Sequence, residues 1–428
     1  MTELIKKLYV ETTSRCNISC AMCVKSFKRG EEGDMSLNTF KRLLPVLREV
    51  EYVNLNGIGE PLMNPEFLEI LKFAKDNMKK TSKTGFTTNG MLLNGEIAEK
   101  LVLAGLDKLV ISLDSVDPEN FSGIRVGACF KQVELNIDSL NMAKKKLGRE
   151  NPVLGFELVA TKENFHEIPQ VVEFAHRKGA KLLIFSHIFP YSPDMNLKKL
   201  FEPLSNDSFD IYRDIKEKLK EKGLDIKKYA NFNFLLLKHK KDELSGILWD
   251  IMDKAFNEAK KKELFLNIPR LIEIDGDKIY AEAAKVFSDA LKLALEYNIE
   301  LIYPPIIPEF TRECKFIKDG TCFVGWDGDV STCLRVLHEN RYFVNGCQRE
   351  TFRTSFGNIN EQDIIDIWKG KKYSTLREKV AKFDFPNCLD CSAYDSCGYF
   401  KDNFNYDCYG NEEPCADCLW SKKLLHCL

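Results

Sequence analysis

Residues 8–23 read LYVETTSRCNISCAMC, a short apolar strand that runs straight into a loop carrying Cys16, Cys20 and Cys23. Three thiolates on one loop suit three irons of a cubane cluster and leave the fourth iron free for a substrate or cofactor. Structural zinc wants four ligands, commonly as two separated pairs, and no neighbouring His or Asp completes a set. Spacing therefore favours an iron–sulfur cluster, with zinc still open if the distant tail donates a ligand.

The strand-and-loop pattern repeats outward from there. YVNLN (52–56), KTGFTT (83–88), LVISLD (109–114), VLGFELVA (153–160) and KLLIFS (181–186) read as buried strands. Between them, Phe40/Leu43/Leu44/Leu47, Phe67/Ile70/Leu71/Ala74 and Ile168/Val171/Val172/Ala175 recur at helical spacing. About six strand–helix units imply a parallel sheet with right-handed crossovers. Six are too few to close an eight-stranded barrel, so the expectation is an α/β fold, a partial (β/α)6 barrel over 1–196, with its chemistry on loops at the strand ends. Residues 197–305 are rich in Lys, Glu and Asp and read as a mostly helical insertion, ending in IELIYPP (299–305), a further strand. Residues 306–428 carry a hairpin signal at Asp327-Gly328, then helical segments at 359–370 and 372–383, then a cysteine-dense tail.

Composition limits the function classes. The chain has 428 residues, room for two or three domains. It carries 62 Lys and Arg against 64 Asp and Glu, a net charge of −2. That balance argues against nucleic acid or an anionic membrane as partner. No apolar run reaches the roughly 18 residues of a spanning helix, and the first residues lack a signal-peptide core, so the cytoplasm is expected. The 15 cysteines are an odd set concentrated at the two ends, which argues for soft metals rather than disulfides.

At this point the chain resembles the radical S-adenosylmethionine superfamily. The resemblance covers about residues 7–190 and rests on an ordered set: CxxxCxxC after the first strand, Gly57-Ile58-Gly59-Glu60-Pro61 after the second, Thr88-Asn89-Gly90 after the third, Ser112 and Asp114 in VISLDSVDPENF, Arg125 in GIRVG and Asn164 in TKENFHEIP. GIGEP departs from the family's GGEP but keeps Gly59-Glu60-Pro61. The resemblance implies a 4Fe-4S cluster on Cys16, Cys20 and Cys23, and S-adenosylmethionine held by Gly57, Gly59, Glu60, Pro61, Asn89, Ser112, Asp114 and Arg125. Glu60 would pair with the ammonium of the cofactor and Arg125 with its carboxylate. The activity implied is reductive cleavage to a 5′-deoxyadenosyl radical that abstracts hydrogen from a peptide, protein or cofactor substrate. The electron would come from a low-potential ferredoxin- or flavodoxin-like donor.

The tail resembles the SPASM extension, which houses auxiliary clusters. Cys314-x13-Gly328-x4-Cys333 precedes Cys388-x2-Cys391-x5-Cys397, but Lys401 stands where the next cysteine is expected, and Cys408, Cys415 and Cys418 follow. The resemblance implies one or two auxiliary 4Fe-4S clusters drawn from Cys314, Cys333, Cys388, Cys391, Cys397, Cys408, Cys415 and Cys418. Cys322 and Cys427 are reserves, and Cys129 and Cys347 are ordinary thiols. A zinc ribbon of Cys388/Cys391 with Cys415/Cys418 is the competing reading. SFGNINEQDIIDIW, FPNCLDCSAYDSC and DCYGNEEPCADCLW are similar to the SPASM subfamily of maturases found with tungsten-dependent aldehyde ferredoxin oxidoreductases. Leu334 after Cys333 leaves out the aspartate base that sulfatase-maturing members carry there. The function expected is thus a maturase of a tungsten-dependent oxidoreductase. The alternatives are a ribosomal-peptide crosslinking or cyclising enzyme and a zinc- or iron–sulfur-containing scaffold or electron-transfer protein. Tyr191, Trp326, Trp368 and His187 are expected to pack rather than to bind substrate.

Overall fold

The structure is a computed structural model that describes residues 4–229, 242–264, 266–344, 346–391, 393, 396–402 and 405–427. Nine strands form one open sheet: β1 Lys7–Val10, β2 Tyr52–Asn54, β3 Lys83–Thr88, β4 Lys108–Ser112, β5 Val153–Ala160, β6 Leu182–His187, β7 Glu300–Ile302, β8 Thr321–Val324 and β9 Val330–Ser331. Their order is β9-β8-β1-β2-β3-β4-β5-β6-β7. All neighbours are parallel except β8 and β9. Register is set by the alternation of side chains. In β5, Leu154, Phe156, Leu158 and Ala160 are buried on one face, while Glu157 lies on the other, less buried face.

The sheet extends beyond the six units expected from the first 196 residues. The strand in IELIYPP becomes β7 and pairs with β6. The helix Lys278–Glu296 leads into it and packs on the helix Ile168–Arg177, so the last helix of the insertion serves as the sixth crossover, from β6 to β7. At the other edge, the hairpin signalled by Asp327-Gly328 forms, with Gly328 at φ +92°. Its first strand, β8, pairs with β1 in register Leu8↔Cys322 and thereby joins the main sheet.

Most expected helices form on their apolar periodicity; Phe67–Asn77, for example, buries Phe67, Ile70, Leu71 and Ala74. The expected helix through Phe40, Leu43, Leu44 and Leu47 is corrected. It splits into Leu37–Lys41 and Leu44–Leu47, and Leu44 is 40% exposed. Pro45 has no N–H to continue a helix begun before it, so it starts the first turn of the second piece. A second hydrophobic core lies under the cysteine-rich tail, where Phe201, Tyr342, Phe385, Leu389, Tyr399 and Leu424 meet. Among the described residues no helix is long and apolar enough to cross a membrane.

Candidate active site and cluster cavities

The three N-terminal cysteines leave the C-terminal end of β1 on a loop fastened to the β4–β5 connection. Ser19–Cys20 pairs antiparallel with Arg125–Val126. This brings Arg125 Nη1 to 3.8 Å from Cys20 Sγ. Asn89 Nδ2 lies 3.8 Å from Cys16 Sγ and donates to Asn17 Oδ1 at 2.8 Å. The Lys25 N–H donates to Cys23 Sγ at 3.4 Å. Burial pushes the Cys20 thiol up to about 11 and also raises Cys23, with Arg125 opposing both. Half-buried sulfurs facing N–H donors are suited to hold the negative charge of a thiolate cluster. Among the described residues no three His, Cys, Asp or Glu side chains converge on a single metal-sized point.

The expected binding residues gather around this loop. Glu60 accepts from Thr88 Oγ1 at 2.7 Å, from the Asn89 N–H at 2.7 Å and from the Leu62 N–H at 3.2 Å. It is buried, and burial pushes its carboxyl up to about 7 against those bonds. A Cβ at Gly59 would run into the carbonyls of Thr13 and Arg15, and one at Gly57 into the Glu11 side chain. Both glycines of GIGEP are therefore required by close backbone approach. Pro61 opens the short turn Pro61–Met63 that follows.

Arg125 forms a buried ion pair with Asp114 at 2.7 Å. Asp114 in turn accepts from the Val159 N–H at 2.8 Å, and its carbonyl accepts from Asn164 Nδ2 at 2.9 Å. Ser112 closes β4 beside them. Glu60 and Arg125, expected to face the two charges of an amino acid, are thus each already paired within the protein.

Sequence reasoning passed over Glu157. It lies in the middle of β5, with Thr87 Oγ1 donating to it at 3.4 Å. Burial pushes its carboxyl up to about 7, with Arg125 opposing and Asp114 adding to the rise. The signal was a single acid in the otherwise apolar VLGFELVA.

The tail sorts its cysteines into two groups. Cys314, Cys333, Cys415 and Cys418 line one cavity, whose walls include Ile317, Val336, Leu376, Phe383 and Trp420. Burial raises each thiol, and their mutual repulsion raises Cys314, Cys333 and Cys415 further. Burial and neighbouring thiols also raise Cys388, Cys391 and Cys408, and Cys397 is near enough to Cys391 and Cys408 to act on both, which suggests a second group. A zinc ribbon would need Cys388/Cys391 beside Cys415/Cys418, and the Cys388 N–H does donate to the Ala416 carbonyl at 3.2 Å, although only Cys415 and Cys418 of the four line the first cavity. Each CxxC encloses an aspartate paired with a buried cation: Asp417 with Arg335 at 2.8 Å, and Asp390 with Lys422.

Of the other cysteines, Cys322 is buried on β8, Cys129 is exposed, and Cys427 lies near Glu157 rather than in either group. His187 is buried with Nε2 at 2.9 Å from the Pro305 carbonyl, and burial pushes it down to about 4. Trp368 is buried under the Arg377 guanidinium, and Tyr191 stacks on Phe27 with ring centroids 6.0 Å apart.

Residues 10–175 match the family model of the radical SAM superfamily, and residues 314–392 match that of the SPASM iron–sulfur cluster-binding domain. The chain is 28% identical over 427 residues to the tungsten-containing aldehyde ferredoxin oxidoreductase cofactor-modifying protein of Pyrococcus furiosus, covering 99% of this chain and 97% of that protein. A probable GTP 3′,8-cyclase of Methanococcus maripaludis is 29% identical over 194 residues, 45% of this chain and 61% of its own length. Among solved structures, Streptococcus suis SuiB shares the fold, with a TM-score of 0.54 at 14% identity, covering 92% of this chain and 72% of that one.

Proposed function

The chain is a radical SAM enzyme with a SPASM domain, and from that premise we propose that it matures the cofactor of a tungsten-dependent oxidoreductase. The observation that carries the reading is similarity along 97% of the cofactor-modifying protein and 99% of this chain, including both cysteine-rich ends, whereas the cyclase-like similarity covers 45% of the chain. Cys16, Cys20 and Cys23 would hold the first 4Fe-4S cluster, and the two tail groups would hold one auxiliary cluster each. Bound there, the cluster and S-adenosylmethionine supply reductive formation of a 5′-deoxyadenosyl radical.

The protein's own part is to position and to exclude water. The Glu60 carboxylate ties the loops after β2 and β3 together, so Gly57, Gly59, Pro61 and Asn89 present one continuous backbone surface to the cofactor. Asp114 holds Arg125 beside Cys20, and Ser112 lines the same strand end. Glu157 places a carboxyl in the barrel interior, able to give or take a proton. In this reading residues 1–196 form the barrel, 197–305 the helical insertion and 306–428 the cluster domain, with β7 and β8 returned to the barrel sheet. A low-potential ferredoxin- or flavodoxin-like protein would deliver the electron, in the cytoplasm.

The test is to produce an aldehyde ferredoxin oxidoreductase in cells with and without this protein and compare its tungsten cofactor by mass. A cofactor altered only when the protein is present, and unaltered with the Cys16/Cys20/Cys23→Ala variant, supports the reading. An identical cofactor in all three preparations rejects it.

A further inference from the structure

His338 lies in the cysteine-rich half, five residues after Cys333, yet its side chain reaches the other end of the sequence. Nε2 is 2.9 Å from both carboxylate oxygens of Glu11, the residue that directly follows β1. Both side chains are buried. Glu11 Oε1 also accepts from the Ile58 N–H at 3.0 Å, and Gly57 is packed against the Glu11 side chain. A buried carboxylate held by a ring N–H on one side and a backbone N–H on the other has little freedom to move. The extra residue of GIGEP thus has a partner: the Ile58 N–H is anchored to Glu11, and Glu11 to His338.

The same segment grips the far end of the cysteine loop. The Arg29 N–H donates to the Glu339 carbonyl at 2.9 Å, and Lys28 and Asn340 form an antiparallel bridge. Residues 338–340 therefore pin the loop both before Cys16 and after Cys23. Behind them, Asn340 Nδ2 donates to the His338 carbonyl at 2.9 Å, and Arg335 donates to the Pro414 carbonyl at 2.6 Å. Arg335 also pairs with Asp417, between Cys415 and Cys418. A continuous set of contacts joins the auxiliary cavity to the backbone of the loop after β2.

We infer that His338 is a positioning residue for S-adenosylmethionine binding, acting through Glu11 on Gly57 and Ile58. This rests on the reading that the loop after β2 binds that cofactor. The experiment is calorimetric titration of S-adenosylmethionine into the anaerobically reconstituted full-length protein, with iron and sulfide counted and the EPR signal of the first cluster followed. His338→Ala should weaken binding about tenfold, a usual size for coupling between linked sites, with iron and sulfide unchanged. His338→Gln, which can still donate to Glu11, should bind within about twofold of wild type, and Glu11→Ala/His338→Ala should bind no more weakly than Glu11→Ala alone.

Unchanged affinity in His338→Ala, a Gln variant as weak as Ala, losses that multiply in the double variant, or loss of iron in place of affinity would each overturn the inference. If the wild-type protein with intact clusters shows neither heat nor an EPR change with S-adenosylmethionine, the reading of the loop itself fails and the inference falls with it.

Discussion

Glu60 and Glu157 show how burial gives two glutamates different work. Glu60 has three donors on its carboxylate and holds loops together. Replacing it with alanine leaves the buried Asn89 N–H without a partner and should cost about 1–3 kcal/mol of stability, measurable by denaturant unfolding. The same variant should lose S-adenosylmethionine binding; retained affinity would remove Glu60 from the site. Glu157 has one long bond from Thr87 and is held at about 7 against an ordinary 4.5. The folded protein keeps this proton while the unfolded chain releases it, so its contribution to stability falls as pH rises from about 4.5 to about 7. Glu157→Gln removes that loss. Its melting temperature relative to wild type should therefore climb across this window, and a flat difference would contradict the assignment. At this scale the sequence revealed chemistry better than contacts. Motif order singled out Glu60, Asn89, Asp114 and Arg125 as candidates, but their pairing with one another, and the link from Glu11 to His338, depend on residues up to 327 positions apart.

Elements read from periodicity formed where nothing local opposed it. KTGFTT and VLGFELVA are strands over the full length read, since both are largely buried and neither carries a proline. The helix read through Leu43 failed at Pro45, a local rule that outweighs apolar spacing. The ribbon of Asn340–Val344 with Cys347–Thr351 was missed, since its central strands carry Arg, Gln and Glu among the apolar residues. The element to which the proposed function assigns the first cluster is the Cys16–Cys23 loop, fixed by its short ladder with Arg125–Val126. Substituting Cys16, Cys20 and Cys23 together by alanine should remove about four irons and all 5′-deoxyadenosine formation, while the tail clusters remain visible by EPR. Formation of 5′-deoxyadenosine by that variant would defeat the assignment.

Across the whole molecule, the strands from 300–302 and 321–331 complete a sheet begun by the first 190 residues. Their sequences announced strands but not neighbours, because a three- or four-residue strand carries no record of the edge it will pair with. The sequence offered the tail cysteines as candidate ligands but not as sets, since spacing alone allows many groupings of eight. Cys314, Cys333, Cys415 and Cys418 line one cavity, and we propose Cys388, Cys391, Cys397 and Cys408 as the second set. Cys314→Ser/Cys418→Ser should then lose no more iron than Cys418→Ser alone, while Cys391→Ser/Cys418→Ser should lose about eight irons. Equal losses in the two double variants would reject the division. The most direct test of the account is anaerobic purification with iron and acid-labile sulfide counted, followed by S-adenosylmethionine and dithionite. The account predicts about twelve irons per chain, matching sulfide and 5′-deoxyadenosine. Bound zinc without sulfide, and no 5′-deoxyadenosine after anaerobic reconstitution, would contradict it.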